Sequence, residues 1–260
     1  MTEAVIVIPA RYGSTRFPGK PLQALKDRAG VTKTLIHRSW EAATEAARGL
    51  RVVVATDDTR IARHVEHFGG EVVMTSTDCA NGTERCAEAA LYLDESCDVI
   101  VNFQGDAPLT PAWFVDALLD TLDREAEIGV ATPVLRCDDS TLSRLRKDRR
   151  NDRVGATTSV FGATGRALYF SKEIVPFVPG SGAGETPVFH HVGVYAYRRE
   201  ALESYARWPR GPLERAEGLE QLRFLENGSA IRCVEISARG RHLWELNNPE
   251  DIPVIERLLP

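Results

Sequence analysis

The sequence predicts an α/β protein of the doubly wound type, a mostly parallel sheet with helices on both faces. Three observations carry this. Near-continuous apolar runs recur along the first half, segments of helical period separate them, and capping or turn residues stand at the junctions. Runs apolar on both faces are what strands buried in a parallel sheet require. They occur at Ala4–Ala10, Arg51–Asp57, Glu71–Thr75 and Val99–Asp106. Between them, Lys33–Arg48, Thr59–Phe68, Thr83–Leu93 and Pro111–Glu125 read as helices. Asp57 and Asp58 stand where an N-cap belongs, and Gly69-Gly70 closes the same helix.

The second half is less regular. Val130–Leu135 and His191–Arg198 read as strands, and Pro179–Glu185 as a loop. Glu214–Glu226 and Pro249–Leu259 read as amphipathic helices. No internal repeat and no linker interrupts the chain. A single domain over 1–260 is expected, with a less regular portion at about 136–228. The basic run Arg144–Arg153 reads first as a solvated surface segment, with phosphate binding or a subunit contact as the other reading.

Composition removes several classes. A 260-residue chain with 43% hydrophobic residues can build a core without staples. Its five cysteines are odd in number and form no C-x-x-C pair, which argues for reduced thiols. No run approaches the ~18 apolar residues of a membrane span, and the first residues lack the basic start of a secretory leader. A cytoplasmic protein with no membrane partner is expected. Nucleic acid is a poor partner, because the net charge is -5 and the arginines are scattered.

Two places carry chemistry. The loop after the first strand, Pro9 to Pro21 (PARYGSTRFPGKP), holds Arg11, Arg16 and Lys20 among glycines and Ser14. No acidic residue occurs from Ala4 to Lys26. Backbone N–H groups and fixed cations at the end of a buried strand form a cradle for a polyphosphate. The loop matches neither the Walker nor the Rossmann glycine pattern. The second place is Asn102-Phe103-Gln104-Gly105-Asp106, where a carboxylate ends another buried strand. Asp106 is placed to hold Mg²⁺ against substrate phosphates, or to cap the helix near Pro111.

These segments, with Asn81–Arg85 (NGTER), HVGVYAYRR and PLERAEGLEQLR, resemble in order the motifs of the CMP-Kdo synthetases, the 3-deoxy-manno-octulosonate cytidylyltransferases. The resemblance spans Ala4 to about Gly228. It implies a Rossmann-like nucleotidyltransferase fold, a homodimer, and a requirement for CTP and Mg²⁺. It also implies that Arg11 and Lys20 clamp the CTP phosphates in the loop shared with Ser14 and Arg16, and that Asp106 holds the metal. Arg85 and Gln104 would serve the nucleotide and acceptor sites, and His191, Tyr195, Glu220 and Gln221 would line the acceptor pocket. Independently, His191 and Tyr195 share a face of the expected strand, whereas Glu220 and Gln221 are neighbours on a helix.

Two departures stand out. The family's late G-x-D-T-P-E-D reads here Glu245-Leu246-Asn247-Asn248-Pro249-Glu250-Asp251, which makes Asn247 a weak, uncharged metal ligand. The family's Q-G-D-E-P reads Gln104-Gly105-Asp106-Ala107-Pro108. Loss of two carboxylates suits a small, strongly anionic acceptor, and some relatives cytidylylate phosphonates such as phosphonoformate. The expectation is therefore CMP transfer from CTP to a phosphonate-type acceptor, with Kdo as the alternative and a non-catalytic CTP-binding protein as a further one.

Overall fold

A computed structural model of the chain describes residues 3–13, 17–151, 156–178 and 186–260. In chain order, the strands are β1 (Glu3–Ala10), β2 (Ala24–Lys26), β3 (Thr32–Thr34), β4 (Arg51–Thr56), β5 (Glu71–Met74), β6 (Cys97–Asn102), β7 (Val130–Arg136), β8 (Thr158–Phe161), β9 (Ala167–Ser171), β10 (Phe189–His191), β11 (Tyr195–Arg198) and β12 (Ile231–Glu235). The helices are α1 (Leu35–Ala47), α2 (Thr59–His67), α3 (Gly82–Ala90), α4 (Ala112–Arg124), α5 (Asp139–Arg150), α6 (Arg199–Arg207), α7 (Pro212–Glu217), α8 (Leu222–Glu226) and α9 (Ile252–Leu258). Lys20–Leu22 and Pro249–Asp251 form short 3₁₀ turns. The chain makes two compact units, one of Met1–Asp116, Ala196–Ala206 and Ala238–Pro260, the other of Ala117–Tyr195 and Arg207–Ser237.

In the first unit the strand order is β5-β4-β1-β6, with β11 beyond β6. β1 pairs in parallel with β4 on one side and β6 on the other, so Val7 lies opposite both Val53 and Asn102. Val5 to Ile8 are fully buried, as expected of a strand with α1 and α3 both packed against it. Three helices begin with side-chain caps. Thr34 accepts from the His37 amide, Asp58 from Arg60 and Asn81 from Glu84. Asp58 is thus the N-cap of α2; Asp57 serves elsewhere. Leu25, Leu35, Leu246, Ile255 and Leu259 form a buried cluster, with Phe17, Leu109, Trp244 and Ile252 against it. That cluster ties the C-terminal segment to the elements that follow β1.

The second unit is built on β7. β12 lies parallel beside it, with Cys233 opposite Thr132, and β10 pairs antiparallel on its other edge, followed by β8 and β9. Its own core joins Cys137, Leu142, Leu145 and Val188.

Three elements differ from the sequence reading. The strand over His191–Arg198 is two strands, because Val192 to Val194 turn, the Val194 N–H donating to the Val192 carbonyl at 2.8 Å. The helix over Glu214–Glu226 is broken at Gly218, whose φ of 61° ends α7 before α8 begins. The basic run is the last half of α5, capped by Asp138, and Arg149 spends a guanidinium N–H on the Ala156 carbonyl at 2.7 Å. Its Asp152 and Arg153, and the loop at Pro179–Glu185, lie outside the described residues. Among the described residues no helix is long and apolar enough to cross a membrane.

The first unit changes direction between β1 and β6, since the chain builds β4 and β5 on one side of β1 and then β6 on the other. Loops leaving the carboxyl ends of such a pair diverge and leave a crevice. Here they are brought close: a Cβ on Gly105 would lie 2.7 Å from the Pro9 carbonyl oxygen, which is backbone and cannot move aside. Gly105→Ala should therefore lower stability by ~1–3 kcal/mol in urea unfolding. Gly162→Ala, with nothing within 4 Å of its added carbon, should be neutral. Equal stability for the two variants would contradict the close approach.

Candidate active site

The site is assembled where β1 and β6 end. After β1 the chain loops out and returns, the Gly19 N–H donating to the Tyr12 carbonyl at 2.9 Å. Gly19 has a φ of 71° and its α-carbon faces the Tyr12 ring, so a side chain there would be both strained and crowded. Arg60, held by Asp58 at 2.6 Å, lies 3.4 Å above the Tyr12 ring. The loop is therefore pinned at its start by α2 and at its end by its own closure. Lys20 follows immediately, in a 3₁₀ turn fixed by Pro21. Arg11 is exposed, its guanidinium reaching the Ala80 carbonyl at 3.4 Å. Ser14 and Arg16 lie outside the described residues.

The loop after β6 delivers the opposite charge. Ser39 donates to the Gly105 carbonyl at 2.9 Å, and Asp106 then meets Lys20, Nζ to Oδ2, at 2.5 Å. Both side chains keep some exposure, 17% and 23%. Asp106 does not cap α4. Its carbonyl accepts from the Leu246 N–H at 2.9 Å, which draws in the C-terminal segment. Asp251 organises that segment by accepting from Trp244 Nε1 and from the Asn247 and Asn248 amides, at 2.7 to 2.9 Å.

The docked segment includes a residue to which the sequence reading gave no role. Burial, and then the negative charge of Asp106, push the Glu245 carboxyl well above the usual carboxylate range, while a hydrogen bond from the Asn247 side chain and the charge of Lys20 work the other way. The donor that the geometry places beside the cationic loop is thus the Asp106 carboxylate, an oxygen ligand. Among the described residues no group of three or more His, Cys, Asp or Glu side chains could hold a metal. A hard ion that takes one or two carboxylates and completes its shell with water and phosphate oxygens fits this set, as Mg²⁺ does.

The other nucleotide candidates are placed differently. Arg85 is 2% exposed and pairs with Asp57 at 3.1 Å, Thr75 Oγ1 at 2.6 Å and the Ser76 carbonyl at 3.3 Å. It thereby ties α3 to the segments leaving β4 and β5. Gln104 is half-buried beside the first turn of α3, Nε2 standing 3.7 Å from where a Gly82 side chain would begin. Asn102, at the end of β6, is fully buried, and neither polar atom of its side chain finds a partner among the described residues.

The remaining acceptor candidates lie in the second unit. His191 is buried, with Nε2 2.9 Å from Thr132 Oγ1. That hydroxyl has one proton, and the Val194 carbonyl at 2.8 Å is its best acceptor. The imidazole is therefore the donor, neutral with its proton on Nε2. Burial, and then the neighbouring His190, push its pKa down to about 3. Tyr195 is buried, its ring 5.5 Å from that of His191. The two rings meet across the turn at 192–194, where the sequence reading had them on one strand. Glu220 precedes α8, and Gln221 is buried at its N-cap. The charges of the surrounding motif are structural: Glu214 and Arg223 form a buried two-pronged pair at 2.7 and 2.8 Å, and Glu217 accepts from Ser171 and the Lys172 amide.

A parallel sheet with a cationic loop after its first strand, faced by a carboxylate across the switch point, defines an enzyme of the nucleotidyltransferase class. The chain belongs to the cytidylyltransferase family, whose pattern matches residues 5–235, and within it to the CMP-Kdo synthetases. It is 45% identical to the 3-deoxy-manno-octulosonate cytidylyltransferase of Maricaulis maris, over 97% of this chain and 95% of that one. It is 42% identical to the protein of that name from Chlamydia abortus, over 100% and 94%. A solved CMP:2-keto-3-deoxy-manno-octonic acid synthetase, complexed with CTP, matches with a TM-score of 0.82 at 33% identity, over 98% of this chain and 97% of that one. These relatives carry a sugar acid in their names and lend no support to the phosphonate branch.

A buried neutral histidine makes acid destabilising. The unfolded chain binds a proton at this imidazole from about pH 6.5 downward, and the folded chain does not until about pH 3, so stability present above pH 6.5 is lost as pH falls through that window. The slope is at most about 1.4 kcal/mol per pH unit for each such group. His190, pushed down to about 4, adds to it in the same direction. Urea midpoints between pH 7 and 4.5 should fall less steeply for His191→Gln than for wild type. Parallel profiles would show that His191 is not the neutral interior group described.

Proposed function

We propose that this cytidylyltransferase uses Kdo as its acceptor, forming CMP-Kdo and pyrophosphate. An acceptor hydroxyl oxygen attacks the α-phosphorus of CTP and gives up its proton to solvent, the bond to the bridging oxygen breaks opposite it, and pyrophosphate leaves with that electron pair. Such a transfer asks the protein mainly for positioning and charge stabilisation. The observation that carries the reading is the Lys20–Asp106 contact at the switch point. It holds a cation for the phosphates and a carboxylate for Mg²⁺ side by side, in a chain of this family.

In this reading Lys20 faces the negative charge that grows on the phosphates, and Arg11 orients the triphosphate from the start of the same loop. Asp106 holds Mg²⁺, which when bound neutralises phosphate charge. Arg85 acts through the segments it ties together, since its guanidinium is already engaged by Asp57 and Thr75. The similarity of the relatives over nearly the whole chain supports Kdo as the acceptor.

The test is pyrophosphate release with CTP and Mg²⁺, offered Kdo or phosphonoformate. Release that depends on Kdo, with CMP-Kdo as the co-product, is expected. Turnover with phosphonoformate alone would replace the acceptor, and CTP binding without turnover would replace the reading by a non-catalytic one. Lys20→Ala should lower kcat by ~10²–10³, the scale of one lost electrostatic contact to a transition state. A folded variant with wild-type kcat would remove Lys20 from that role.

A further inference from the structure

We propose that Arg60 and Asp58, at the start of α2, are positioning residues for the triphosphate. They act through the Tyr12 ring, which they hold so that the loop after β1 is closed before CTP arrives. The inference rests on the reading of that loop as the CTP cradle. Tyr12 closes the loop in two ways. Its carbonyl accepts from the Gly19 N–H at 2.9 Å, and the Cε2–Cζ–Oη edge of its ring lies 3.2 Å from where a Gly19 side chain would begin. Arg60 covers the face of the same ring, its Cζ 3.4 Å from the centroid. Tyr12 and Gly19, at the two ends of the loop, are thus tied to α2 through one aromatic ring. Lys20 follows Gly19 directly, so this closure sets where its side chain starts.

Arg60 is suited to a ring and already supplied with a counter-charge. Its Nε and Nη2 donate edge-on to the two Asp58 oxygens, at 3.0 and 2.6 Å, which leaves the flat face of the guanidinium for Tyr12. Asp58 also caps α2, its Oδ1 accepting from the Arg60 backbone N–H at 2.9 Å. The cation is therefore fixed to the helix end through both its backbone and its side chain. A loop without that clamp would spend part of its time open, and the affinity for CTP would fall by the closed fraction.

The test is the affinity for CTP, measured by calorimetry without acceptor, with kcat at saturating CTP as a second readout. Arg60→Gln and Tyr12→Leu should each weaken CTP binding by about three- to tenfold, the scale of one cation–ring contact. Both should lower kcat by less than they lower affinity, because the bound triphosphate itself holds the loop. Asp58→Asn is the discriminating variant. Asn caps a helix about as well as Asp, so α2 is kept. Removing a negative charge close to the loop would, by charge alone, tighten CTP; loss of the clamp weakens it. Tighter or unchanged binding in Asp58→Asn overturns the proposal. So does an Arg60→Gln effect that is equally large in the wild-type and Tyr12→Leu backgrounds, the mark of a direct phosphate contact. Thermal melting checks that each variant is folded. If Lys20→Ala weakens CTP binding and Arg60→Gln leaves it unchanged, this inference fails alone. Wild-type protein that binds no CTP overturns the cradle reading together with the inference.

Discussion

The candidate site depends on one close backbone approach. Gly105 lies so near the Pro9 carbonyl that no side chain fits between them, and this seats the loop leaving β6 on the end of β1. Ser39 holds the same peptide through its carbonyl. From that contact Asp106 is carried to Lys20, and the Asp106 carbonyl in turn docks Leu246 and the C-terminal segment. Parallel strands diverge into their loops, so a cationic loop and a carboxylate on neighbouring strands would otherwise stand apart. A glycine at one position brings them together.

The Lys20–Asp106 pair is partly buried, and its worth for stability is small, because desolvating both charges offsets much of their attraction. Its use is positional. Each partner keeps the other aimed, and in the proposed reaction each exchanges its partner for the charge of the incoming nucleotide or cation. The second unit invests its buried polar groups differently. Glu214 with Arg223, and His191 with Thr132, satisfy one another inside the unit, which fixes the break between α7 and α8 and the turn between β10 and β11. A fully satisfied interior network rigidifies the positions around it.

Much of the first unit was legible because its signals are local. Strands buried on both faces are continuous apolar runs, and Thr34, Asp58 and Asn81 announce their helices by cap chemistry. The second unit was less so. Val192 and Val194 are β-branched residues that favour extended chain, and only Gly193 hinted that the strand would turn. Gly218 was the visible mark of the α7 break, masked by the helical period of its flanks. The resemblance alone gave Arg85 its place at the nucleotide; its partners Asp57 and Thr75 come from other loops, a distance no local pattern spans. The segment around Glu245 was no more legible, because only the docking of Leu246 on the Asp106 carbonyl brings it to the site.

The central claim is that Lys20 and Asp106 work as one unit across the ends of β1 and β6. A double-mutant cycle on kcat/KM for CTP, with Lys20→Ala, Asp106→Asn and the double variant, tests this most directly. Groups that act together lose most of their effect when either is removed, so the double variant should be little worse than the poorer single one. Logarithmic effects that add to within about 0.5 kcal/mol, the behaviour of independent sites, would contradict the account.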